Sequence, residues 1–448
     1  MRGEEFYRGV SRYLSIYSSA MGIEYMAVVR SARHALTRFA NNVIHQNVSV
    51  ERTTLSILGL KDNKLAVVST ERFDEDGVEE AFERLKEVLA VSKPMEYQFK
   101  FPLPKMVPSY AAYDEETAKA DPNVRARVVK GFVERAEKES ADAFGYFSTG
   151  EEEFSVMSSN GNFLYHLGSF ANLNLVVSKN DGSGYAGWAG ISMNETSFED
   201  LAESAVSTAL NAQNPVEIDP GKYTVILSPD AVADALGFFG WVACNGRAHE
   251  EKTGPSVKYL GKRVSQLPIT VADDPAYEGI VPVPFDFFGH PRHRFSLIED
   301  GNFARLTYSH GAALKYGKEP TGHSFMFTSL EDSFPINLVF EPGEVSVEEM
   351  INSVDRGIYI TRFHYTNVVD PMELVITGMT RDGTFLIEGG ELTKPIKNMR
   401  FNFGFFDLLK NLEMVSRETK TVASEYGLSV VAPYVKVHEF SFTSKSDH

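Results

Sequence analysis

The residues best able to do chemistry in this chain are its histidines, its single cysteine and one glycine-rich run. His249-Glu250 and His438-Glu439 each begin like a zinc-peptidase motif. Such a motif sets two histidines one helical turn apart to hold the metal and a glutamate beside the first to activate water. Here Glu251-Lys252-Thr253-Gly254 follows the first and Phe440-Ser441-Phe442-Thr443 the second, so no second histidine arrives. His290-x-x-His293 is the only close histidine pair, with His310 and His323 further along. These four are the residues available to a non-standard metal site. Pro291 lies inside the pair and Gly289 before it, so the stretch reads as a loop with surface histidines and no fixed third ligand. Gly182-Ser183-Gly184-Tyr185-Ala186-Gly187 matches G-x-G-x-x-G, which binds a pyrophosphate only where it opens a helix. Trp188-Ala189-Gly190 is poor helix sequence, and Asn180-Asp181 reads as a hairpin turn. Cys244 follows Trp241-Val242-Ala243 and reads as a small buried hydrophobe, since a reactive thiol needs a partner that lowers its pKa.

Composition narrows the classes further. The 448 residues are 43% hydrophobic and 12% aromatic, enough for more than one packed core. A formal net charge of −17 repels phosphate backbones, so no direct nucleic-acid partner is expected. The longest near-apolar stretch, Ala235 to Cys244, is too short to span a bilayer, and the polar start shows no secretion signal. One cysteine allows no internal disulfide and suits a reducing, cytoplasmic setting.

The elements that must position these residues alternate in type. Apolar spacing predicts helices over Glu5–Ala20, Asp74–Ala90, Val124–Lys138 and Leu201–Leu210. Period-two runs from Tyr25 to Thr70, turning at Lys61-Asp62-Asn63-Lys64, and from Phe154 to Val177, turning at Asn160-Gly161, predict hairpins. Pro94, Pro102, Pro104 and Pro108 mark a linker. From Lys222 on, frequent turns between short alternating runs predict a large antiparallel sheet. Two helices interrupt it, one capped at Ser228 before Pro229 and one over Ser346–Val354. The reading is an α+β chain in three parts: αβ segments over 1–100 and 101–218, and a β-rich domain over 219–448.

Scattered but ordered motifs carry a resemblance to a known family. They are Asp219-Pro220-Gly221-Lys222-Tyr223, Ser228-Pro229, Gly261-Lys262, Asp273-Asp274-Pro275, Asp286-Phe287-Phe288-Gly289-His290-Pro291, Gly357-Ile358-Tyr359 and Ile387-Glu388-Gly389-Gly390-Glu391-Leu392-Thr393-Lys394-Pro395-Ile396. Together they resemble the TldD/PmbA family of metallopeptidases, also called modulators of DNA gyrase, whose PmbA branch is also named TldE. The catalytic branch carries H-E-x-x-x-H on the helix after the Ser-Pro position. In the register set by Gly261 and Asp273-Asp274, that hexad falls on Gly237-Phe238-Phe239-Gly240-Trp241-Val242. Gly237 and Val242 then stand where the metal histidines would be, and Phe238 where the general base would be. The branch's C-terminal cysteine ligand has no counterpart after Cys244. Two acids of the family's D-D-E-G-x-P are Phe287 and Phe288 here.

The resemblance implies a non-catalytic TldE-like subunit without a cofactor of its own. It would pair with a TldD-like subunit that holds the zinc and act with it on unfolded peptide. Leu236, Phe239 and either Trp241 or Val242 should then be buried. A stand-alone peptide-binding or regulatory protein, using exposed strand edges, is the alternative from another class. A third is an active metallopeptidase using His290, His293, His310 and His323.

Overall fold

The computed structural model describes residues 1–423 and 429–446; residues 424–428 and 447–448, within the span assigned to the C-terminal domain, lie outside the described residues. The first half runs α1 (Glu4–Met21), β1 (Glu24–Ala40), β2 (Val43–Lys61), β3 (Lys64–Thr70), α2 (Glu75–Val91), a one-turn α3 (Glu115–Ala118), α4 (Pro122–Lys138), β4 (Asp142–Ser158), β5 (Phe163–Lys179), β6 (Gly182–Gly190) and α5 (Phe198–Asn211). The helices and hairpins follow the sequence reading. Asp74 caps α2 by accepting from Gly77 N–H at 2.9 Å. Asp62 and Asn63 take positive φ in the β2–β3 turn.

The six strands form one sheet in the order β3-β2-β1-β4-β5-β6. Segments 1–100 and 101–218 therefore share a sheet through the β1–β4 ladder. The proline-bearing stretch between them is a strap that leaves this sheet and returns to it. Helices α1 and α2 cover one end, burying Tyr7, Leu14, Phe82 and Leu85 against Tyr25 and Ile57. Helices α4 and α5 cover the other, burying Phe132 and Val206 against Phe147 and Leu175. Glu153, 1% exposed, ties α1 to the sheet. Its carboxylate accepts from Gly3 N–H, Tyr7 Oη and Tyr165 Oη within 2.8 Å. The G-x-G-x-x-G run is strand β6. A Cβ at Gly182 or Gly184 would come within 2.4 Å of Ala209 O and 2.1 Å of Ala205 O on α5. The glycines permit a strand–helix approach and open no helix.

The second half contains β7 (Gly221–Leu227), α6 (Pro229–Phe238), α7 (Gly246–Glu250), α8 (Ser256–Tyr259), β8 (Val271–Asp273), β9 (Phe295–Glu299), β10 (Asn302–Phe303), α9 (His310–Tyr316), β11 (Leu338–Phe340), α10 (Val347–Asn352), β12 (Arg356–Asp370), β13 (Val375–Glu388), β14 (Glu391–Pro395), β15 (Met399–Gly404), α11 (Phe405–Lys410), β16 (Leu412–Ala423) and β17 (Ser429–Lys445). Among the described residues, eleven strands make a mixed sheet, mostly antiparallel, with β7–β12 and β11–β17 parallel. More helices interrupt it than the two read from sequence. The important addition is α9, capped by Ser309 and ended by Gly317 at φ +64°.

The two halves meet through an aromatic cluster. Phe99 and Phe101 of the strap and Phe154 of β4 pack against Phe285, Phe288 and Phe327. Phe154 and Phe285 stack with centroids 5.1 Å apart.

Candidate functional site

Helix α6 and the turn after it hold the positions aligned with the metal motif. Pro229 starts the helix as expected. Ser228 does not cap it with its side chain; its hydroxyl donates instead to Thr361 O on β12. The last turn widens into a π-turn over Phe239–Ala243, where Cys244 N–H bonds Phe239 O at 3.2 Å. Such single π-turns inside helices recur at functional sites. Gly237 is buried and Phe238 is 6% exposed. Leu236 and Phe239 are buried as expected. Phe239 stacks on Phe405 at 4.8 Å and packs on Phe303 at 5.4 Å. A Cβ at Gly240 would meet Pro335 Cγ at 3.0 Å. Val242 is half-buried, whereas Trp241 is 51% exposed. Trp241 therefore lies on the outer side of the turn and is not the residue that completes the core.

These side chains do not fit a zinc ion. Gly237 has no donor, Val242 and Phe238 present only carbon, and Phe239 between them packs on Phe303, Phe405 and Phe406. Among the described residues, no three His, Cys, Asp or Glu side chains gather where they could hold a metal ion. Cys244 is fully buried, and desolvation pushes its thiol pKa well up, so it stays protonated.

The loop histidines are not surface residues, with one exception. His293 is exposed. His290, His310 and His323 are 3%, 5% and 1% exposed. Sequence reasoning missed this because Gly and Pro neighbours usually mark solvent-facing loops. The Ser309 cap and Gly317 were the available signals for α9, which carries His310 into the interior. His290 Nε2 lies 2.9 Å from His310 Nδ1, and His310 Nε2 lies 2.8 Å from the carbonyl of Lys100 in the strap. A carbonyl only accepts, so His310 Nε2 carries the proton and donates. Its Nδ1 then accepts from His290 Nε2–H. Phe288 stacks on His310 at 4.7 Å. Burial lowers the pKa of both rings, that of His310 to about 4, so both are neutral at pH 7.

Asp286, the surviving acid of its motif, organises this loop. It accepts from the backbone N–H of Phe288, His290 and Ser324 at 2.9 to 3.0 Å. The replaced acids Phe287 and Phe288 join the aromatic contact between the halves.

His323 belongs to a different cluster. Its Nε2 is 2.8 Å from Asp273 Oδ2, with the ring turned off the line of a good hydrogen bond, and its Nδ1 is 2.8 Å from Thr321 Oγ1. Asp273 is also ion-paired with Arg292 and accepts from Asn337 N–H at 2.6 Å. Burial alone would raise its pKa; Arg292, His323 and the backbone hold it below the usual carboxylate range. His249 contacts Ser256, and Glu250 accepts from Tyr308 Oη at 2.8 Å. His438 bonds Thr224 and Glu413 beside a cavity of about 300 Å³. The fold does not bring the histidine–glutamate pairs or the four loop histidines together as one ligand set.

Comparison with known proteins places these features. Residues 220–444 match the PmbA/TldA metallopeptidase C-terminal domain and residues 108–213 the PmbA/TldA metallopeptidase central domain. The chain is 25% identical over 231 residues to a metalloprotease of Methanothermobacter thermautotrophicus and 25% over 240 residues to one of Methanocaldococcus jannaschii. The matches cover 49% of this chain in each case, and 49% and 51% of the relatives. It thus spans about half the length of the curated relatives it matches. Two solved structures share the fold over 98% of this chain and 100% of their own. A protein from Thermotoga maritima described as a modulator of a DNA gyrase has TM-score 0.86 at 21% identity. TldE from Thermococcus kodakarensis has TM-score 0.85 at 22% identity. With matched domains over more than half its length and the motifs in family order, the chain belongs to the PmbA/TldD metallopeptidase family.

Proposed function

We propose that the chain is a non-catalytic, TldE/PmbA-like subunit that works with a TldD-type catalytic subunit in the proteolysis of unfolded peptides. One observation carries this reading: the positions aligned with the metal motif hold Gly237, Phe238 and Val242, and Phe239 in the turn between them packs against Phe405 and Phe303. Such a turn can form part of a wall but cannot polarise a carbonyl or activate water. The likeness to TldE supports the branch. On this reading the zinc belongs to the partner, and the setting is the cytoplasm. An active enzyme using the loop histidines is disfavoured by their bonding. His290 and His310 spend three ring nitrogens on each other and on Lys100 O, while His293 stands apart in solvent. The test is reconstitution: the chain is assayed on an unfolded peptide alone and with a TldD-type subunit carrying H-E-x-x-x-H. Activity only in the mixture supports the reading; chelator-sensitive hydrolysis by the chain alone refutes it.

A further inference from the structure

Trp241 is one of two tryptophans in the chain. Trp188 is 7% exposed, whereas Trp241 leaves 51% of its surface in water. A single apolar ring at a surface is common, and its place in the fold is what singles this one out. In H-E-x-x-x-H, the histidines and the glutamate bring the metal and its water to the scissile carbonyl. The helix face that carries them is therefore the face the substrate meets. Here that face holds Gly237, Phe238 and Val242. Phe238 is 6% exposed, and its ring centroid lies 6.5 Å from that of Trp241, with the planes 33° apart. Phe239, the next residue, turns into the core and stacks on Phe405. The wide π-turn over Phe239–Ala243 leaves Phe239 inside and Trp241 outside, beside Phe238. The aligned positions carry no metal donor, yet a half-exposed indole adjoins them.

Unfolded peptides leave in water the apolar side chains that folded proteins bury. An indole presents a large, rigid face with few rotatable bonds, so it covers such a side chain at small entropic cost. We propose that Trp241 is a specificity-determining residue, whose exposed face takes an apolar or aromatic side chain of the unfolded peptide. The chain then selects substrate at the place where a metal-bearing relative acts on it. The proposal rests on the TldE-like reading and adds to it the residue that selects and the side chains it selects.

The test begins with the isolated full chain. Acrylamide quenches an exposed tryptophan more than a buried one, so the wild-type response reports chiefly on Trp241, and Trp241→Phe supplies the Trp188 background. Two neutral unfolded peptides of equal length are compared, one with leucine and phenylalanine at set positions and one with serine there. The first should shield Trp241 from acrylamide and shift its emission to shorter wavelength; the second should do neither. In the mixture with a TldD-type subunit, Trp241→Ser should raise KM for the apolar peptide about two- to ten-fold, with kcat unchanged. Cleavage of the serine peptide should not change, and Trp241→Phe should recover most of the loss. Thermal melts confirm that each variant is folded. Quenching that the apolar peptide leaves unchanged overturns the proposal, as does equal shielding by both peptides. A Trp241→Ser variant that no longer assembles with the TldD-type subunit assigns the ring to the subunit contact and also overturns it. An active mixture whose KM values Trp241→Ser leaves unaltered overturns the proposal alone. A mixture that never cleaves, with Trp241 still shielded by the apolar peptide, overturns the proposed function and leaves Trp241 as a peptide contact.

Discussion

His290 donates through Nε2 to His310 Nδ1 across 2.9 Å, and His310 passes the chain on to the carbonyl of Lys100, 210 residues earlier in the sequence. This relay pins the strap to the C-terminal half. Both rings are less basic folded than unfolded, because burial opposes the charged form and outweighs the nearby Asp286 carboxylate, which favours it. The folded chain therefore binds fewer protons than the unfolded one below about pH 6.5. Stability from this pair should be complete above that pH and fall as pH drops toward 4. Burial shifts His166 and His323 the same way. Thermal melts between pH 8 and pH 4.5 should show this acid-side loss, and His310→Phe should flatten it. That variant keeps a ring against Phe288 but leaves His290 Nε2–H and Lys100 O unpaired, so it should cost about 1–3 kcal/mol at pH 7.5.

The buried pair Asp273–Arg292 gives a second expectation. Asp273→Asn leaves the Arg292 guanidinium, 2% exposed, without its counter-charge. Denaturant unfolding should show a loss of about 3–5 kcal/mol. A loss below 1 kcal/mol would mean that water or another group reaches Arg292.

Gly184→Ala tests the reading of the glycine-rich run as a packing device. The new methyl would sit 2.1 Å from Ala205 O unless β6 or α5 moves. A cost of about 1–3 kcal/mol is expected in the same assay. An unchanged midpoint would show that the strand–helix approach has slack.

Much of the first half was legible because its signals are local. The α2 helix and the Asp62-Asn63 turn follow from residues a few positions apart, as does the reading of Gly182–Gly190 as poor helix sequence. The buried histidines were not legible, because what buries them is remote. Lys100 reaches His310 from the strap, and Phe99 packs against Phe288 across the two halves. No periodicity within 283–330 encodes those partners. The strap itself read as a boundary because prolines end local structure, yet the sheet closes behind it through the β1–β4 ladder. Which of Trp241 and Val242 turns inward stayed open in the sequence, because the π-turn adds a residue to the helical period and counting at 3.6 per turn does not carry across it.

With a net charge of −17, the chain should not shift duplex DNA in a gel at physiological salt. Salt-sensitive binding at micromolar concentration would reveal a basic surface that the overall charge conceals.

Peptide hydrolysis with and without a TldD-type subunit measures most directly whether Gly237, Phe238 and Val242 leave this chain without chemistry of its own. The expected result is no cleavage by the isolated chain and chelator-sensitive cleavage by the mixture, unchanged by His293→Ala. Zinc in the isolated chain should stay below about 0.1 equivalent, since no donor stands at the aligned positions. Cleavage by the isolated chain that a chelator abolishes, with about one equivalent of zinc retained and lost in a folded His290→Gln variant, would contradict the account.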